Sequence, residues 1–278
     1  MKKLLLSTIT AMALSTSAYS AIGIDLEAGG GVWKPSLSGD LSYSSAFALG
    51  TKMQLNNLEK SGSTSSNNYF YADLSHFIPI IPNARIESLE YSISGIPGIS
   101  LDAFGMSTNV INFAGVMFDA ASTLKMNLNI KQNDYIVYWE FPFISALSSN
   151  ILNVNYGLDA KNFKGSITAT GTVLGKITEK TESFDVFIPL VYIYAQVDLP
   201  TIPLSISATV KTLAYEDSKI SDNQIKISYK LPIPKSFVDF SLDLGYRVQN
   251  ITVAPKLVDN LDAVLDTKGV FFGLNAKF

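Results

Sequence analysis

The sequence predicts an all-β chain closed into a transmembrane antiparallel β-barrel of about ten strands, with eight and twelve as alternatives. Three observations predict it. Over 269–278, Val270, Phe272, Leu274, Ala276 and Phe278 share one face, while Gly269, Gly273, Asn275 and Lys277 share the other with Phe271; that is the period of a strand with an apolar and a polar side. Mean hydropathy is +0.22 and 47% of residues are hydrophobic, yet after the first twenty residues no apolar run approaches the roughly 20 residues of a membrane helix. Alternating lipid-facing and lumen-facing side chains reconcile the two. Third, F-I-P-I-I-P-N-A at 77–84, L-P-T-I-P at 199–203 and L-P-I-P-K at 231–235 are short Pro-marked turns separated by long polar stretches. Pro removes ladder donors, and short turns on one rim with long outer loops on the other is the barrel pattern.

Residues 1–20 read as a cleaved secretory signal: a basic Met1-Lys2-Lys3 start, a mostly apolar run from Leu4 to Leu14, and Ala18-Tyr19-Ser20 as the cleavage site. Residues 21–278 are then one barrel domain, expected in the bacterial outer membrane after export. Losing Lys2 and Lys3 takes the 21 basic residues to 19 against 24 acidic ones, a net charge of −5, which argues against nucleic acid as a partner. The absence of Cys excludes disulfides, thiolate metal sites and Cys nucleophiles.

In chain order, 22–34 alternates as a first strand. Its Gly29-Gly30-Gly31 lacks the following Lys-Ser or Lys-Thr of a phosphate loop and instead predicts close approach or a bend of the wall. Residues 35–66, with the Ser61–Ser66 tip, read as a long surface loop. A second strand runs through Phe70, Ala72 and Leu74, and a third covers about 85–94. In 95–131 the apolar set Leu124, Met126, Leu128, Ile130 falls out of phase with Tyr135, Val137, Trp139, Phe141. That predicts a bulge or break near Gln132-Asn133 and a second long loop with β-extensions; a further hairpin there would make twelve strands. Strands then follow at about 134–143, 151–163, 184–198, 204–215, 223–231, 237–249 and 268–278. After Pro255, the spacing of Leu257, Val258, Leu261, Val264 and Leu265 predicts a short amphipathic helix. The Asp259, Asp262 and Asp266 spacing is not that of a calcium loop.

Facing the lumen, the alternation places Asp25, Glu27, Asp73, Glu140, Asp159, Asp198, Lys226, Lys230, Asp239, Asp243 and Arg247, with Lys161, Lys211 and Lys277. Both signs on neighbouring strands, such as Lys226 and Lys230 beside Asp239 and Asp243, predict a cross-strand ion-pair network. Ten strands enclose a circle roughly 20 Å across between backbones, most of it taken by inward side chains. The one His of the chain, His76, sits beside the Pro79 turn on the lipid-facing parity and reads as an interfacial residue, so no catalytic residue, cofactor or metal site is expected.

The blocks G-G-G-V-W, N-Y-F-Y-A-D-L-S-H-F-I-P-I-I-P-N-A-R-I, D-Y-I-V-Y-W-E-F, F-I-P-L-V-Y-I-Y-A-Q-V-D-L-P and L-D-L-G-Y-R-V-Q-N-I, and the terminal Phe278, resemble a family of bacterial outer-membrane β-barrel proteins. The resemblance implies fold and location and brings no catalytic residues. It also implies outer-membrane lipid as surroundings and the barrel-insertion machinery as a partner, reading Phe272, Leu274 and Phe278 as the closing signal. The expected role is structural or surface interaction, with the surface ligand unspecified. A narrow channel for ions or a small solute is the alternative, and an outer-membrane enzyme comes third.

Overall fold

The computed structural model describes residues 23–58, 67–99, 110–141, 143–149, 151–215, 218–233, 238–256 and 258–278; the expected signal segment and the Ser61–Ser66 tip lie outside them. Ten strands form the wall: β1 (Ile24–Tyr43), β2 (Asn67–His76), β3 (Asn83–Gly95), β4 (Lys125–Glu140), β5 (Leu152–Val173), β6 (Lys176–Leu199), β7 (Leu204–Tyr215), β8 (Ser218–Lys230), β9 (Asp239–Val253) and β10 (Leu261–Lys277). Each is antiparallel to its sequence neighbour. The barrel closes through β10 and β1, paired from Glu27↔Lys277 to Tyr43↔Leu261. The start of β1, the end of β10 and the strand ends joined through 77–82, 141–151, 200–203 and 231–238 lie at one rim, the turn rim. The opposite, loop rim carries the strand ends joined through 44–66, 96–124, 174–175, 216–217 and 254–260.

Along every long strand the apolar face changes sides while the parity of the chain does not. Near the turn rim the outward residues are apolar and exposed, among them Phe70, Ile86, Val137, Leu158, Val191, Ile225, Leu244 and Phe272, forming a belt of the kind hydrocarbon requires. Toward the loop rim the outward residues become polar, as with Lys131, Lys164, Ser166, Thr168 and Asp185, and the inward ones become buried and apolar: Leu37, Leu41, Leu128, Ile130, Phe163, Ile167, Ile188 and Leu265. Above the belt the barrel is therefore built like a water-soluble protein, with a dry core and a wet coat. Met53, Leu55, Leu58, Phe113 and Phe118, all at 0% exposure, fold over this core and cap it.

That inversion explains where the chain departs from the sequence reading. The phase change near Gln132-Asn133 is not a bulge: β4 keeps one unbroken register with β3 from Asn83↔Tyr138 to Gly95↔Met126 and with β5 from Lys125↔Thr170 to Glu140↔Asn155. What changes is the surroundings, not the register. By the same mechanism 35–43 is not loop but the upper part of β1, with Leu37, Leu41 and Tyr43 inward. The stretch 164–183 is likewise wall, the upper parts of β5 and β6 joined by Leu174-Gly175. Both turn residues have positive φ, 48° and 78°, as a two-residue hairpin connection demands. Within 95–131 there is a short hairpin, Val110–Phe113 with Val116–Asp119, beside the upper wall. After Pro255 no helix forms from Leu261 on; Leu261, Ala263 and Leu265 point inward from β10.

Two local features need their own cause. A Cβ on Gly29 would stand 2.5 Å from Tyr71 Cε1, and one on Gly31 would stand 2.1 Å from the Phe272 carbonyl oxygen, so the Gly-rich start of β1 serves close approach. On β6, pairing with β7 begins at Val191↔Thr212, two residues from Pro189, which has no N–H to give. Above that point β6 is paired with β5 alone.

Candidate functional site

The lumen is the site, and it is layered. Beneath the dry core, Gln132 and Gln249 exchange reciprocal amide hydrogen bonds of 3.0 and 2.9 Å across the barrel. Next to them lies a buried charge cluster. The Lys161 Nζ donates to Asp134 at 2.8 Å and to Asp222 at 3.0 Å. Lys211 Nζ donates to Asp134 at 2.6 Å and to Glu87 at 2.7 Å. The Arg247 guanidinium grips Asp222 with both Nε (2.8 Å) and Nη2 (2.6 Å), the bidentate geometry that fixes orientation as well as distance. Removing charges from water costs several kcal/mol per ion, and these partners offset it. Asp159 completes the cluster at 3.9 Å from Lys211, with neither carboxylate oxygen hydrogen-bonded.

Aromatic rings seal the seams between layers. Trp33 donates to the Gly269 carbonyl at 3.2 Å and meets Tyr91 edge-on at 5.7 Å. Tyr71 lies over Gly29 and donates to Glu27 at 2.6 Å. The mid-lumen cavity beside Arg85, Glu87, Gln132, Asp134 and Arg247 measures about 20 Å³, room for about one water.

Below the cluster the lumen widens. A cavity of about 220 Å³ is lined by Asp73, Arg85, Tyr138, Glu140, Asn155 and Tyr192 among others. An adjoining one of about 370 Å³ shares Glu27, Gln196, Lys226 and Lys277 with it and reaches Asp198, Lys230 and Asp239 at the turn rim.

The inward charges expected from sequence fall into two sets. Asp159, Lys161, Lys211 and Arg247 belong to the buried cluster. The rest line the widening, except Asp243, which is buried beside the mid-lumen cavity: Asp25 pairs with Lys277 at 3.1 Å, Asp73 with Arg85 at 3.3 Å, Lys226 with Asp243 at 3.3 Å and Lys230 with Asp239 at 2.5 Å. Asp198 accepts from Gln196 at 2.8 Å, while Glu140, exposed at the turn-rim end of β4, lines the cavity without an ion-pair partner among the described residues. On β10, Phe272 and Leu274 face outward, and the Phe278 N–H donates to the Leu26 carbonyl at 2.8 Å. His76 lies at the turn rim, its Nδ1 accepting from the Ile78 N–H at 3.3 Å. Sequence reading missed Arg85, Glu87, Asp134 and Asp222, although Asp134 shares the parity of Glu140, and Asp222 that of Lys226 and Lys230.

No protein-family model matches the chain, and no curated protein does. Among solved structures, the outer membrane protease OmpT from Escherichia coli is similar with a TM-score of 0.46 and 7% identity, over 92% of this chain and 96% of that one. The translocator domain of autotransporter NalP from Neisseria meningitidis gives 0.39 and 10% over 98% of each chain. Neisserial surface protein A gives 0.25 and 10%, over 92% of this chain and 97% of that one. With the register of β10 on β1, the architecture is that of a closed ten-stranded antiparallel β-barrel.

Proposed function

We propose that the chain is a bacterial outer-membrane β-barrel protein with a sealed lumen and a structural or surface-interaction role. The turn rim then faces the periplasm and the capped dome faces outward. The belt of exposed Phe, Leu, Ile and Val side chains supports the membrane setting. The observation that carries the sealed reading is the stacking of two barriers, a hydrogen-bonded charge cluster and a dry core above it. An ion crossing them would have to break buried pairs and then shed its water among apolar side chains. Phe47 at 99%, Leu49 at 88% and Leu174 at 93% exposure, all near the loop rim, support contact with something outside.

No enzymatic role is proposed: the sole His is a turn-rim residue on the outward parity of Phe70 and Leu74, opposite to the inward Asp73 of the same strand. Phe272, Leu274 and Phe278 are the segment proposed to be read during insertion. The deciding measurement is planar-bilayer conductance of the refolded mature chain, after heat-dependent gel mobility shows a closed barrel. Silence is expected. Reproducible small steps would overturn the sealed reading in favour of a narrow channel.

A further inference from the structure

The 220 Å³ cavity has an imbalance that its own walls do not correct. Four carboxylates line it, Asp25, Glu27, Asp73 and Glu140, against three cations, Arg85, Lys226 and Lys277. All three cations are committed: Lys277 to Asp25, Arg85 to Asp73 and also to Glu87 at 2.7 Å, and Lys226 to Asp243. Among the described residues Glu140, on the exposed turn-rim end of β4, is left without an ion-pair partner, and Glu27 is met by the neutral Tyr71 hydroxyl.

A second observation points the same way. Asn155 stands directly opposite Glu140 in the β4–β5 register. It is 7% exposed, lines the cavity, and its Oδ1 has no hydrogen-bond partner; the Oδ1 of Asn153, two residues along the same face, has none either. A buried acceptor without a donor is costly. Beside these acceptors the rings of Tyr138 and Tyr192, 5.9 Å apart and inclined at 47°, add π faces that attract cations. Acceptors lacking donors, surplus negative charge and aromatic walls share one complement, a compact group rich in N–H donors and positively charged.

We infer that this cavity binds a small organic cation, an alkylammonium, entering from the turn rim. The inference rests on the barrel reading for which compartment supplies the ligand, not for the chemistry. The ammonium sits between Glu140 and the Asn155 Oδ1, with its alkyl chain along Tyr138 and Tyr192 and its tail toward the wider cavity.

The test is calorimetric titration of the full mature chain, refolded in detergent and shown closed by heat-dependent mobility. The probes are 1,5-diaminopentane and the peptide Gly-Lys-Gly, which separate a free amine from a lysine side chain as the source; pentanoate is the control. Saturable binding of either cationic probe and none of pentanoate is expected. Glu140→Gln is expected to weaken it about tenfold, as loss of one charged partner does, and Asn155→Leu to weaken it also. The inference is overturned if the closed barrel gives no saturable heat, if pentanoate binds as tightly, or if Glu140→Gln, still heat-modifiable, binds unchanged. A chain with no heat-modifiable form at all overturns the barrel reading itself. Conductance steps with binding intact overturn only the sealed lumen.

Discussion

Asp134 on β4 and Asp222 on β8, four strands apart around the wall, are bridged by the single ammonium of Lys161 at 2.8 and 3.0 Å. The barrel is thereby cross-braced through its middle, between strands that no ladder hydrogen bond joins directly.

Cutting that brace is expected to be costly. Asp222→Ala leaves Arg247 without its paired anion and Lys161 with Asp134 alone, and should lower stability by about 3–5 kcal/mol, the usual loss when one member of a buried pair is removed. Lys230→Ala breaks a pair whose side chains are 54% and 52% exposed and should cost about 0–1 kcal/mol. Urea titration of the detergent-folded barrels measures both. Equal losses would mean that the cluster is hydrated rather than dry.

The inversion of faces is testable on one strand. Leu158→Arg places a charge in the belt and should cost about 2–4 kcal/mol in lipid. Ser166→Arg, on the same outward face of β5 above the belt, should stay within about 0.5 kcal/mol of the parent. Refolding into bilayers of defined thickness reads both, and a matching penalty for Ser166→Arg would place the belt higher than its apolar residues do.

Gly29 is a steric prediction. A methyl group there meets the Tyr71 ring, so Gly29→Ala should displace the ring, loosen the 2.6 Å contact with Glu27 and cost about 1–3 kcal/mol, as overpacking does. Restored stability in Gly29→Ala with Tyr71→Ser would identify the ring as the cause.

The two barriers should be separable. Phe118→Ala opens the fully buried cap and should cost about 3–5 kcal/mol, yet conductance should stay silent because the charge cluster below it is untouched. Current through Phe118→Ala would show that the cap, not the cluster, closes the lumen.

The parts of the fold that sequence reading finds and those it misses divide at the belt. In 237–249 and 269–278 the apolar side faces out and polar residues face in, so Leu242, Leu244, Phe272 and Leu274 announce their strands directly. Above the belt the same strands carry Leu37, Leu41, Phe163, Ile167 and Leu265 on the other side. A reader who holds the apolar face fixed sees the phase break and infers a loop or, at 257–265, a helix. The inner charges follow the same rule: Asp243 and Arg247 lie within an evident strand, whereas Asp134 and Asp222 lie at the level where the alternation changes hands. Which carboxylate meets which cation is set by cross-barrel distance, as in Lys211 reaching Glu87 from β7 to β3, and no pattern along a single strand contains it.

The polar coat over the dome bears on assembly. In the orientation proposed above, the loop rim crosses the bilayer during assembly, and that rim carries Asp40, Glu90, Lys131, Lys164 and Asp185 on its outer surface. Each charge held at mid-membrane costs about 2.5–3.5 kcal/mol even on the mildest scale, so a finished dome is too hydrophilic to be pushed through as a rigid body. On that proposal translocation precedes completion of the cap, and the last part of the molecule to become native is the end that arrives first.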